Sequence, residues 1–221
     1  MAVLGVDGWR GRWVGALLEG RSVTLLALDD VDAVLAVPDV DVVAVDMPIG
    51  LSDDGVRACD VQARGRLRRA GSSVFPAPLR PVLGAVDYPD ACRISIAASG
   101  KALSKQAWNL LPSIRQLDDA LGEPPDARVV EVHPELSFRR LDLRVADPKI
   151  TARGTMQRLE ALCGVMDVER ALLDAPARVP MVDALDACAA AWSAQRLAAG
   201  TASSVGDDRR DARGRPMRIS W

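Results

Sequence analysis

Four aspartates have the spacing expected of a shared acidic site. Asp7 ends the apolar run VLGVD and Asp46 ends the run DVVAVD, so each carboxylate is held at the end of a predicted strand. Asp183 and Asp186 stand three apart in a predicted helix and project from nearly the same face. If that helix packs near both strand ends, the four carboxylates converge, and two charges ~4 Å apart repel by roughly 4 kcal/mol. Protons or hard divalent cations must then neutralise the cluster.

Each aspartate also has an ordinary structural explanation. A lone aspartate at a strand end, such as Asp7 or Asp46, most often caps a turn. Asp183 could be the first-turn acid of its helix, which is stabilising without any function. Asp186 lies deeper in the helix and is harder to explain in this way. The spacing alone therefore leaves the structural and the metal-binding interpretations open.

The elements that must position these residues have an α/β pattern. Three apolar runs separated by short turns predict an antiparallel meander, and the next strand is apolar on both sides, as a buried parallel strand is. Together these runs predict a mixed sheet flanked by helices. The predicted elements of this part are strands over 3–7, 12–18, 22–28 and 41–46, and a helix over 31–37.

The block after the fourth strand, residues 51–126, has a looser pattern. It contains a basic helix over 57–70, a proline-rich loop over 71–81 and helical spacing over 97–121. Because it lacks an apolar pattern large enough for a core, we expect a helical insertion within a single domain over 1–221. The remaining predicted elements are a strand over 128–132, two short helices within 147–174, an alanine-rich helix over 181–199, a mobile polar segment over 206–215 and an edge strand over 216–221.

Composition and charge limit the class of protein. The 221 residues carry a net charge of −2, so composition argues neither for nor against a polyanionic partner. The single histidine, His133, excludes zinc sites built from several histidines. The four cysteines lie far apart, no apolar run is long enough for a membrane helix, and no basic leader precedes the first strand. We therefore expect reduced thiols and a cytoplasmic protein without a signal peptide or membrane partner.

Two further catalytic candidates, His133 and Glu135, follow the fifth predicted strand, and Glu131 lies within it. All three could serve as ligands or in proton transfer. The alternatives are structural, since a lone histidine at a strand end is usually a hydrogen-bonding residue and Glu135 opens a helix after Pro134.

Basic residues of the insertion are candidates for substrate binding. Arg57 and Arg64 share a helical face, Gln106 lies near the start of the next helix, and Arg80 follows the proline-rich loop, where a guanidinium would suit a phosphate. The arginine cluster within 64–69 could follow a nucleic-acid backbone. A surface ion-pair face or a solvated basic helix explains these residues equally well, and the chain has few aromatic residues for base stacking.

Six short motifs, in order, resemble one protein family. They are GVDGWRGRWV, VDMPIGL, RACDVQAR, SSVFPAPLR, EVHPELSF and DALDACAAAW, and they run from about Val3 to Arg196. The chain thereby resembles the bacterial and archaeal family catalogued as domain of unknown function 429, described as a predicted nuclease with an RNase H-like fold. At wider range, the four aspartates are similar to the four acids of RuvC-type resolvases.

The resemblance implies both a fold and a chemistry. The fold would be α/β, an RNase H-like mixed five-stranded sheet flanked by helices, with the insertion after strand four. Asp7 would bridge two Mg²⁺ or Mn²⁺ ions, Asp46 and Asp186 would each bind one, and Asp183 would complete the ligand set. One metal would activate a water and the other would stabilise the leaving oxygen during displacement at phosphorus.

The sequence therefore predicts metal-dependent phosphodiester hydrolysis of a nucleic acid or a nucleotide-like molecule. One alternative is phosphoryl transfer from Mg-ATP, since kinases of the same fold family also carry an aspartate and glycines in their first hairpin. A second glycine-rich hairpin for adenosine is missing from this sequence. The other alternative is a binding protein that keeps the acidic metal pocket without turnover.

Overall fold

The structure is a computed structural model of residues 1–221, and it describes every residue except the side chain of Arg69, a member of the predicted arginine cluster. The strands are β1 (Ala2–Trp9), β2 (Arg12–Glu19), β3 (Ser22–Leu28), β4 (Val40–Val45), β5 (Val129–Glu131), β6 (Ser204–Arg210) and β7 (Pro216–Ser220). The α-helices are α1 (Val31–Leu35), α2 (Ala58–Leu67), α3 (Tyr88–Ser99), α4 (Lys105–Ala120), α5 (Pro134–Leu141), α6 (Ala152–Cys163), α7 (Val168–Leu173) and α8 (Met181–Ala198). Among the described residues, no helix is long and apolar enough to cross a membrane.

The chain divides into two compact units. The sheet unit comprises Met1–Met47, Ala127–Ser204 and Ser220–Trp221, and the insertion unit comprises Pro48–Asp126 and Val205–Ile219. The insertion predicted over 51–126 corresponds to the first segment of the insertion unit. The single domain over 1–221 stays a prediction.

The sheet unit contains the mixed five-stranded sheet that the sequence predicts. The strand order is β3-β2-β1-β4-β5. Strand β1 pairs antiparallel with β2 and parallel with β4, while β3 joins β2 antiparallel and β5 joins β4 parallel. The α/β fold class, with helices flanking this sheet, is therefore confirmed.

Helix α8 lies directly against β1 because both surfaces carry very small residues. A Cβ atom on Gly5 would lie 2.0 Å from the backbone nitrogen of Ala191 and 2.2 Å from the carbonyl oxygen of Ala187, so only glycine permits this approach. The alanines of the helix that face the sheet are fully buried. This contact holds the first turns of α8 beside the end of β1, where Asp7 lies.

The insertion unit has an apolar cluster of its own, which the sequence pattern did not reveal. Its buried members are Leu79, Val82, Ala85, Ala91, Leu103, Ala107 and Leu111. Several of them come from loops and a short 3-10 helix, so no helical period marks them in the sequence. The continuous helical spacing predicted over 97–121 was wrong at its start, because Gly100 ends α3 with φ 74° and the hydroxyl of Ser104 caps α4.

The last segment of the insertion unit is also more ordered than predicted. Residues 206–215 were expected to be mobile, but most of β6 lies there and pairs with β7 in a two-stranded sheet. The predicted terminal strand exists, although its partner is β6. The sequence did not mark β6 as a strand because most of its residues are charged or polar and its burial alternates only weakly.

Candidate functional site

The sheet unit brings the four predicted aspartates together. Val6 pairs with Val45 across the parallel strands, so Asp7 in β1 and Asp46 after β4 occupy neighbouring positions. The backbone nitrogen of Asp46 donates to the carbonyl of Val6 at 2.9 Å, which fixes this register. Helix α8 supplies the other two carboxylates, and the side chain of Asp183 hydrogen-bonds to Asp7.

Burial and mutual repulsion make this cluster unfavourable when it is fully ionised. Asp7 is 9% exposed and Asp186 is 1% exposed. Burial, followed by the charges of Asp46 and Asp186, raises the pKa of Asp7 well above its ordinary value. Burial is also the largest cause of the raised pKa values of Asp46 and Asp183, and it raises the pKa of Asp186 to about 6. The cluster therefore requires shared protons or a cation at neutral pH.

A lysine that sequence reasoning missed supplies one positive charge to the cluster. The Nζ atom of Lys149 lies 2.5 Å from Oδ2 of Asp186, and its charge lowers the pKa of all four aspartates. Burial lowers the pKa of Lys149 itself, but the charge of Asp186 and the neighbouring carboxylates raises it above its ordinary value. The one feature of the sequence that could have drawn attention to Lys149 is the rarity of lysine, since the chain has three lysines among 28 basic residues.

The segment that carries Lys149 is held in place by α6. The carbonyl of Lys149 accepts a hydrogen bond from the hydroxyl of Thr155 at 2.9 Å. The side chain of Gln157 donates to Oδ2 of Asp147 at 2.8 Å and accepts from the Asp147 backbone nitrogen at 3.1 Å. These contacts present the ammonium to the carboxylates from an ordered loop.

His133 and Glu135 lie beside the cluster. The charge of Glu135 raises the pKa of Asp46, whereas His133 lowers it. Both carboxylate oxygens of Glu135 already accept hydrogen bonds from Arg158, at 2.7 and 2.8 Å. Glu131 pairs with the residue before Asp46, so it faces the other side of the sheet. The catalytic roles of His133 and Glu135 stay predictions.

The predicted substrate-binding residues all belong to the insertion unit; they are Arg57, Arg64, Arg80 and Gln106. Arg57 is 3% exposed and forms a salt bridge with Asp60. Arg80 forms a salt bridge of 3.0 Å with Asp118, and Arg64 donates to a backbone carbonyl of the same unit. These three guanidiniums therefore have structural partners within their unit, and their contacts with a substrate stay predictions.

The carboxylate oxygens of the four aspartates suit a hard divalent cation, although the side chains are not arranged around a common metal position. Among the described residues, no group of three or more His, Cys, Asp or Glu side chains is arranged to hold a metal ion. Within the same described part of the chain, Oδ1 of Asp186 is buried and has no hydrogen-bond partner. A buried carboxylate oxygen without a partner is costly, and Mg²⁺ or Mn²⁺ would satisfy it. These oxygen ligands are of the type that Mg²⁺ and Mn²⁺ prefer, and the binding of such a cation stays a prediction.

Comparison with known proteins identifies a family. No curated protein and no solved structure matches the chain. A family model described as "Protein of unknown function (DUF429)" matches residues 5–211, a stretch that includes all four aspartates and Lys149. Because this match spans nearly the whole sequence, the chain belongs to the DUF429 family.

Proposed function

We propose that this protein is a metal-dependent phosphodiesterase of the nuclease type, a hydrolase acting on a nucleic acid or a nucleotide-like phosphodiester. The observation that supports this proposal is the meeting of four carboxylates, from two adjacent strands and one helix, in one cluster that is buried at Asp7 and Asp186. The strand order β3-β2-β1-β4-β5 agrees with the RNase H-like interpretation and supports it further. The four cysteines are free thiols, which agrees with the cytoplasmic location that belongs to the proposal.

The four aspartates would hold Mg²⁺ or Mn²⁺. When bound, such cations lower the pKa of a water and offset the charge that develops on the leaving oxygen. Asp7 interacts with each of the other three aspartates, so it is the central member of the group that would hold the cations. Asp46, Asp183 and Asp186 would complete the ligand set.

Lys149 and His133 would handle charge and protons around the carboxylates. The ammonium of Lys149 balances the cluster in the metal-free protein, and it can turn towards a phosphate oxygen when a cation takes its place beside Asp186. His133 lies close enough to Asp46 to change the pKa of that carboxyl, so its imidazole would accept a proton from the attacking water.

The test is cleavage of a labelled panel of single-stranded, duplex, hybrid and branched nucleic acids with Mn²⁺. We expect cleavage by the wild type and none by Asp7→Asn. Asp41→Asn is the matched control, because Asp41 is an exposed aspartate of β4 outside the cluster. Equal cleavage by the Asp7 variant would contradict the proposal, as would a wild-type protein that neither binds Mn²⁺ in calorimetry nor cleaves any member of the panel.

A further inference from the structure

A second feature of the sheet unit lies beside the carboxylate cluster. A cavity of about 440 Å³ is lined by Trp9, Arg10, Arg12 and Arg178. Trp9 is partly buried and packs against the core of the sheet, so its indole is anchored. The three arginines are exposed. The cavity thus combines one fixed aromatic ring with three guanidinium groups.

The charges of this cavity are available to a ligand. Arg12 lies 3.5 Å from Asp29, but both side chains are more than half exposed, so this ion pair is weak and easily exchanged. Among the described side chains, Arg10 and Arg178 have neither a hydrogen bond nor a salt bridge. Three cationic groups on one small surface repel one another, and an anion would relieve that repulsion.

The turn that carries Arg10 uses an unfavourable residue. Arg10 and Gly11 form the two-residue connection between β1 and β2, with φ of 48° and 79°. Glycine or asparagine suits the first of these positions better than arginine does. A side chain with a positive charge is therefore held at the tip of the hairpin at some cost in backbone energy.

The cavity adjoins the carboxylates. Asp7 and Trp9 are two residues apart in β1, so their side chains leave the same face of the strand about 7 Å apart. A ligand in the cavity would therefore extend directly into the acidic site.

We propose that this cavity binds one unpaired nucleotide of a single-stranded nucleic acid, next to the phosphodiester that the carboxylates would attack. Trp9 stacks on the base, and Arg10 and Arg178 contact the phosphates that flank it. Stacking needs a base whose face is open, which a continuous duplex does not offer. This inference rests on the proposed function for its placement beside the scissile bond, but binding can be tested without any cleavage.

The experiment measures binding of a labelled single-stranded oligonucleotide by fluorescence anisotropy in EDTA, so that no metal-dependent cleavage occurs. Trp9→Leu should weaken binding by roughly tenfold, and Trp9→Phe should retain most of it, because base stacking on an aromatic ring contributes about that factor or more. Arg178→Gln should reduce the slope of log K against log salt by about 0.7, the loss of one phosphate contact on a single strand. Arg140→Gln, at an exposed arginine of α5, is the matched control and should bind as the wild type does.

A further variant separates binding from folding. Arg10→Gly removes the charge and relieves the turn, so it should weaken binding while leaving the free energy of unfolding unchanged or higher. The proposal is overturned if Trp9→Leu binds as tightly as the wild type, if a duplex binds equally well, or if only the mononucleotide binds. Cleavage that does not depend on Trp9 would refute nucleotide binding in the cavity but would still support the proposed hydrolase activity. Binding that depends on Trp9, from a protein that cleaves nothing, would support nucleotide binding and refute the hydrolase activity.

Discussion

Replacement of Lys149 by methionine removes the positive charge inside the carboxylate cluster and keeps the aliphatic stem. The ammonium lies 2.5 Å from a carboxylate that is 1% exposed, while the lysine side chain itself is 42% exposed. Removing one partner of a fully buried ion pair costs about 3 to 5 kcal/mol. Because nearly half of this lysine is solvated, we discount that figure and expect the metal-free protein to lose about 2 kcal/mol of unfolding free energy.

Divalent cations should reverse this loss. Without the ammonium, Mn²⁺ meets no competing charge beside Asp186, and a ligand that binds only the folded state stabilises it by RT ln(1 + [L]/Kd). We therefore expect the Lys149→Met variant to gain more stability from saturating Mn²⁺ than the wild type gains. The assay is urea unfolding followed by circular dichroism, in EDTA and in Mn²⁺. Lys101→Met, at an exposed lysine of the insertion unit, is the control and should respond to Mn²⁺ as the wild type does.

Two results would refute this reasoning. A loss below about 0.5 kcal/mol in EDTA would mean that the ammonium does not balance the carboxylates, because that loss is typical of an ordinary surface substitution. An equal loss in EDTA and in Mn²⁺ would mean that Lys149 acts through packing alone and that no cation takes its place.

Three further predictions concern stability. Burial raises the pKa of Asp186 to about 6, so the protonated carboxyl contributes stability that is fully present below the unfolded pKa near 4 and is lost as pH rises through 6. In urea unfolding with EDTA, the Asp186→Asn variant should therefore gain up to about 3 kcal/mol over the wild type between pH 4 and pH 7. A constant difference across that range would contradict the raised pKa. Gly5→Ala should lower the unfolding free energy by about 3 kcal/mol or more and weaken Mn²⁺ binding, because α8 must move to make room for the Cβ atom. The control is Gly65→Ala, whose Cβ atom meets nothing within 4 Å, and it should stabilise its helix by about 1 kcal/mol in the same urea unfolding. Arg80→Met should lower the unfolding free energy by about 3 kcal/mol, because its salt bridge with Asp118 is mostly buried; a loss below about 0.5 kcal/mol in urea unfolding would contradict this structural role.

The sheet and its carboxylates could be predicted because their signals are local. Runs such as VLGVD and DVVAVD are short, apolar and closed by turn residues, so strand positions follow from the sequence to within about two residues. The parallel pairing of the first and fourth strands then places Asp7 beside Asp46. The three-residue spacing of Asp183 and Asp186 required only that their helix face the sheet, and the buried glycine and alanines make that contact possible.

The parts that could not be predicted depend on contacts between distant segments. Lys149 lies in a loop with no periodic pattern, and its position follows from hydrogen bonds to Thr155 and Gln157 in a helix whose own orientation is set by packing. The core of the insertion unit combines residues from loops and two helices, which share no repeat. Four of the seven residues of β6 are charged, and such a composition usually indicates a mobile segment.

The negative and positive groups around the candidate site come from different kinds of segment. All four carboxylates come from β1, the end of β4 and α8, which pack directly against one another in the sheet unit. The positive groups Lys149, Arg10 and Arg178 come from loops, which lie between α5 and α6, between β1 and β2, and between α7 and α8. Substitutions in the strands or helix should therefore disturb folding and metal binding together, since the acids cannot move independently of the core. Substitutions in the connections should change which anion binds and how tightly, while the acidic cluster persists.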